Sequence, residues 1–141
     1  MSKLLQRLSD ASKSGVYRVT RADAVLEVLP GNGLKLARVK LREGDAKERM
    51  LSTLAQALDF PAWFGGNWDA LEDCLTDLSW STAAGHVLLI EGAAGAAADD
   101  LGVLEDVLAS AAAHWAERGR PFFAVLVGGR AALPLLHRER K

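Results

Sequence analysis

Apolar residues recur along the chain with two alternating periods, and the alternation predicts the order of elements. Leu4, Leu5 and Leu8 predict a short helix over residues 3–11 behind Ser2, closed by Gly15. Residues 16–19 are short and β-branched, a strand candidate. Thr20 and Asp23 have the spacing of a capping box. Ala22, Val25, Leu26 and Leu29 then repeat at helical spacing until Pro30 and the turn Gly31-Asn32-Gly33. Residues 34–41 predict a strand whose alternation slips phase between Leu36 and Ala37, which fits a bulge or a strand covered on both faces.

The second half continues the pattern. Asp45 and Glu48 form another capping pair, followed by a helix with Met50, Leu51, Leu54 and Leu58 inward, ended by Phe60-Pro61. Residues 62–66 form a tight aromatic, glycine-bearing loop, and Asn67 is a good N-cap for a helix with Trp68, Leu71, Leu75 and Leu78 on one face. Residues 86–90 are a near-continuous apolar run, the pattern of a parallel strand buried on both sides. A loop or loose turn over 92–98 precedes a long helix marked by Leu101, Leu104, Leu108, Ala111 and Trp115, with Gly119 at its C-cap. Residues 122–127 form the last buried strand. The tail from 129 is expected to be solvated, with some helix around 133–136. Strands alternating with helices predict an α/β fold with a parallel sheet and right-handed crossovers, residues 16–19 adding an edge strand.

Composition narrows the class. At 141 residues the chain is expected to form one domain, with its core over about 34–128, an extension over 1–33 and a tail over 129–141. The net charge of -1 gives no overall pull toward nucleic acid or anionic membrane, so electrostatic function must come from local clusters. The single Cys74 cannot form an internal disulfide and suits a reducing compartment. The N-terminal stretch has no signal-peptide apolar region, and no window reaches the roughly 18 apolar residues of a membrane span. A soluble, cytoplasmic, monomeric protein is expected.

One local cluster stands out. Asp69, Glu72, Asp73 and Thr76 fall at i, i+3, i+4 and i+7, out of phase with the apolar stripe, and Asp77 extends the acidic set. Together they predict four carboxylates on about three turns of one exposed helix face. Asp69 and Asp73 are a like-charge pair one turn apart, destabilising by a few tenths of a kcal/mol. No lysine or arginine lies along this helix to relieve them. By spacing alone, a solvated face and a site for an external cationic partner are equally good readings. The aromatic glycine loop running directly into this helix favours the partner.

The run Phe60-Pro61-Ala62-Trp63-Phe64-Gly65-Gly66-Asn67-Trp68-Asp69-Ala70-Leu71-Glu72-Asp73-Cys74-Leu75-Thr76 resembles the barstar family, intracellular inhibitors of barnase-type ribonucleases. The family's form is a proline, an aromatic pair, Gly-x-Asn, then Asp-Ala-Leu-x-Asp-Cys-Leu-Thr. Agreement in element order extends more weakly over about 34–128. The resemblance implies a parallel three-stranded sheet with helices packed on it, to which 16–19 would add a fourth strand. It also implies that Asp73 occupies the place of a substrate phosphate in the ribonuclease active site, that Asp69 pairs with a basic residue beside it, and that Trp63 packs on the enzyme. Gly65, Asn67, Trp68 and Thr76 match positions that line the contact. Trp68, at the first position of its helix, is expected to be only partly buried. Glu72 departs from the family, standing where its best-known member has tryptophan, and His114 aligns loosely with an acidic contact residue. Both departures bear on which enzyme is the target.

Other residues invite plainer readings. Cys74, mid-helix beside Ala70, reads as a small packed hydrophobe rather than a nucleophile. His86, His114 and His137 lack metal-ligand spacing, so no metal or cofactor is expected, and His86 reads as a rim residue. Trp80 and Trp115 read as core or core edge. Glu91, at the C-terminal end of a strand, is a weak pointer to a hydrolase or nucleotide-binding enzyme. Gly128-Gly129-Arg130 reads as a strand exit, since it lacks phosphate-loop spacing. Arg138, Arg140 and Lys141 are too few to predict nucleic-acid binding. The expected function is therefore inhibition of a basic ribonuclease, without enzymatic activity. The alternative is an adaptor that binds another basic protein.

Overall fold

Alternating strands and helices build one all-parallel sheet. The computed structural model describes residues 2–130 and 132–138. In chain order the elements are α1 (Lys3–Leu8), β1 (Gly15–Val19), α2 (Asp23–Val28), β2 (Leu34–Lys40), α3 (Lys47–Ala57), α4 (Trp68–Leu75), β3 (Gly85–Glu91), α5 (Ala98–Glu117) and β4 (Phe122–Val127). The strands lie in the order β1-β4-β3-β2 and every pair is parallel, with β1 at one edge as its pattern predicts.

The two faces of the sheet bury different clusters. On one, α3, α4 and α5 pack Met50, Leu54, Leu71, Leu75, Leu104 and Leu108 over Val39, Leu88, Ile90, Ala124 and Leu126. On the other, Leu8 of α1 and Val25 of α2, with Leu29 and Leu136, cover Leu34, Val87, Leu89, Phe123 and Val125. β3 is central and covered twice, which is why residues 86–90 are apolar without alternation. The phase slip in β2 has the same cause. Its register with β3 runs unbroken from Leu34↔Gly85 to Lys40↔Glu91, so no bulge is present. Leu34 and Leu36 face the second cluster, whereas Ala37, Val39 and Leu41 face the first.

Several local expectations are corrected. Ser2 caps α1 as predicted, its Oγ accepting from the Leu5 N–H at 3.2 Å, but the helix ends at Leu8 and Gly15 opens β1 instead of closing a helix. α2 starts at Asp23 behind Ala22, with no side-chain cap. α3 starts at Lys47, and Asp45 turns back to accept from the Arg42 N–H at 2.8 Å. The Lys47 N–H instead donates to Asp100 Oδ2 of α5 at 2.9 Å, a cap supplied from 53 residues away. The tail does not form helix around 133–136. It runs parallel to the free edge of β1, where the Arg18 N–H donates to the Pro134 carbonyl and the Leu136 N–H to the Arg18 carbonyl. Arg138 is exposed; Arg140 and Lys141 lie outside the described residues. At the exit of β3, Gly92 has φ 82° and the ideal Cβ position lies 2.1 Å from the Leu41 carbonyl oxygen, so only glycine fits.

Candidate partner-binding site

α4 and the loop before it carry all the predicted residues, from Trp63 to Thr76, on one continuous segment. The Asn67 side chain caps the helix, its Oδ1 accepting from the Ala70 N–H at 2.7 Å. Leu71, Cys74 and Leu75 are fully buried, so the orientation of the helix is set by the core. α5 fixes the other end, where the Trp115 indole N–H donates to the Leu75 carbonyl at 2.7 Å. Asp69, Glu72 and Asp73 are consequently exposed on the opposite face. None of them, nor Asp77, enters an ion pair among the described residues. The acidic helix is shorter than expected, eight residues, so Asp77 lies beyond its end and three carboxylates share its surface.

Thr76 is the C-cap of α4, and its hydroxyl donates to the Glu72 carbonyl at 2.8 Å. That proton is engaged within the helix, which leaves the oxygen as an acceptor for a partner. Trp68 is half-buried against the larger core cluster, as its place at the helix start predicts. Gly65 is exposed with ordinary backbone, while the neighbouring Gly66 has φ 70°. Gly66 is the position in this loop whose backbone favours glycine.

Four aromatic rings organise the loop. Phe60 meets Phe64 edge-on at 5.0 Å between centroids and Trp80 at 6.0 Å, and Trp80 meets Trp63 at 6.2 Å. Phe60, Phe64 and Trp80 rest on the core, whereas Trp63 is 60% exposed. Trp63 is therefore an exposed indole in the loop that runs directly into the acidic helix.

The remaining candidates have structural roles. Cys74 is buried, and burial, then Asp77 and Asp73, push its thiol pKa up, as suits a packed hydrophobe. His86 is buried, not at the rim as expected; its Nε2 lies 2.9 Å from Ser81 Oγ. Burial, then Arg120 and Lys35, lower its pKa to about 4. His114 is partly exposed and stands edge-on to Trp115 at 4.9 Å. Trp115 is core and Trp80 core edge. Glu91 pairs with Arg38 at 2.7 Å. Past the strand ends, a cavity of about 270 Å3 is walled by alanines, Leu101, Gly128 and Gly129, with Arg130 at its side. Arg130 pairs with the buried Glu105 of α5, a residue the sequence reading missed although a lone charge inside the stripe of Leu101, Leu104 and Leu108 signals it. Among the described residues, no group of three or more acidic, histidine or cysteine side chains is placed to hold a metal ion, and no helix is long and apolar enough to cross a membrane.

Fold and site together define an α/β protein with an all-parallel sheet that presents a core-anchored acidic helix and an aromatic loop on its surface. Residues 34–127, about two thirds of the chain, match the family described as barstar (barnase inhibitor), and the chain belongs to the barstar family. A search of curated proteins returns no match. The match begins at β2, so α1, β1 and α2 lie outside it.

Proposed function

We propose that this protein inhibits a bacterial ribonuclease of barnase type by setting Asp73 in the enzyme's phosphate site, with Asp69 on a flanking cation and Trp63 packed on the enzyme surface. It acts as a monomer in the cytoplasm, without catalytic activity of its own. Family membership supports the partner class. The single observation that carries the site is the exposed, unpaired set Asp69, Glu72 and Asp73 on a helix whose other face buries Leu71, Cys74 and Leu75. A ribonuclease concentrates cations to stabilise phosphoryl oxygens. A carboxylate on a rigid helix reaches such a pocket at little further entropic cost. Gly65, Asn67, Trp68 and Thr76 border the contact, and Glu72 steers from its rim. The one buried thiol, Cys74, suits a reducing compartment.

The test is titration of purified protein into barnase-type ribonucleases while following RNA cleavage. Truncating one partner of a buried charge pair costs about 2–5 kcal/mol, a range that rests partly on the family's own type pair. Asp73→Ala and Asp69→Ala are therefore expected to weaken inhibition by at least about thirtyfold. Glu27→Ala, on α2 across the sheet, is expected to leave inhibition unchanged. Glu72→Gln is expected to lower the association rate and its dependence on salt, with little change in dissociation. Should Asp73→Ala inhibit as well as the wild type, the phosphate-site reading fails. If no such enzyme is inhibited, an adaptor for another basic protein becomes the better reading.

A further inference from the structure

We infer that Trp80 is a positioning residue for the contact loop, fixing the pose in which Trp63 is presented to the partner. The inference rests on the reading that the loop and α4 face a partner, and it assigns a role to a residue outside both. Trp63 sits between Pro61-Ala62 and Phe64-Gly65-Gly66, a segment with two adjacent glycines and, among the described residues, a single backbone turn bond, from the Phe64 N–H to the Pro61 carbonyl. Backbone of this kind does not by itself hold a 60% exposed indole in one rotamer. The aromatic contact of Trp63 is the edge-on one with Trp80, at 6.2 Å and 81°.

Trp80, in contrast, is held from several sides. Its indole N–H donates to the Leu58 carbonyl, just past α3, at 3.0 Å. Its ring meets Phe60 edge-on at 6.0 Å and packs on the core. The next residue is fastened too, the Ser81 N–H to the Leu78 carbonyl and Ser81 Oγ to His86 Nε2. Trp80 is thus a fixed post between α3, the sheet and the loop. A ring held before binding loses less freedom on binding, so this contact contributes to affinity without Trp80 touching the partner.

Two measurements test the role. In protein labelled with fluorotryptophan, the Trp63 resonance is assigned by Trp63→Phe. In Trp80→Leu this resonance is expected to sharpen and move toward the solvent-exposed position, while those of Trp68 and Trp115 stay in place. In ribonuclease inhibition, Trp80→Leu is expected to weaken the wild type about three- to tenfold, the worth of one aromatic pair, and to have no effect in a Trp63→Ala background. An unmoved Trp63 resonance, or equal weakening in both backgrounds, overturns the inference. If Trp80→Leu fails to fold, Trp80→Phe removes only the N–H to Leu58 and part of the ring; an unmoved Trp63 resonance there is equally fatal. Absence of inhibition by the wild type refutes the ribonuclease reading, and the resonance alone then decides the role of Trp80.

Discussion

His86 opens the central strand as a buried imidazole, against Ser81 and within reach of the charges on Arg120 and Lys35. Burial and these cations favour the neutral ring and lower its pKa from 6.5 to about 4. Above about pH 6.5 the ring is neutral whether the chain is folded or not, and it adds no pH dependence. As pH falls from 6.5 toward 4 the unfolded chain takes up the proton and the folded one does not, so stability declines. Below about 4 both states are protonated and the loss levels off at about 3 kcal/mol. Denaturant unfolding at a series of pH values is expected to show this decline, and His86→Gln to flatten it between pH 6.5 and 4. At this scale the acidic site was legible because Asp69, Glu72 and Asp73 need only helical spacing to share a face. The burial of His86, the Glu105–Arg130 pair and the Trp80 contact with Trp63 were not, since each depends on segments that only the folded chain brings together.

α4 shows how little of an element's stability resides in its own residues. A helix of eight residues does not persist alone in water, where about 12–15 are needed for even marginal helicity. This one stands because Leu71, Cys74 and Leu75 are buried and because both ends are tied, by Asn67 at the start and the Trp115 indole at the end. Asn67→Ala is expected to destabilise the protein by about 1 kcal/mol and Asn67→Asp by much less, because aspartate caps equally well. Chemical unfolding measures both, and inhibition is expected to weaken with Asn67→Ala as the first turn, carrying Asp69, frays. The Asn67 cap was visible in sequence because donor and acceptor are three residues apart. The start of α3 was misjudged for the opposite reason, its cap coming from Asp100 on α5. The phase slip of β2 was legible as a choice between bulge and double burial, which only the packing of both faces decides.

For the whole molecule, the boundary of the family match and the boundary of the core do not coincide. The matched segment, 34–127, contains β2, β3, β4 and the helices of the first face. The second face of that sheet is covered by residues outside the match, among them Leu8, Val25, Leu29 and Leu136, while β1 pairs along β4 from Gly15↔Phe123 to Val19↔Val127. Removing residues 2–33 and the tail bares Val87, Leu89, Phe123 and Val125, all fully buried in the intact chain. At about 1.5–3 kcal/mol for each side chain, the loss is about 6–12 kcal/mol, comparable with the whole stability of an ordinary domain at about 5–15 kcal/mol. It also leaves β4 as an unprotected parallel edge beside apolar surface, a template for aggregation. A protein trimmed to residues 34–127 is therefore expected to be insoluble or to lack a cooperative thermal transition, and the full chain is expected to melt as one unit. A trimmed protein that unfolds cooperatively and inhibits like the full chain would show that α1, β1 and α2 are an appendage, and that the first face alone supports the acidic helix.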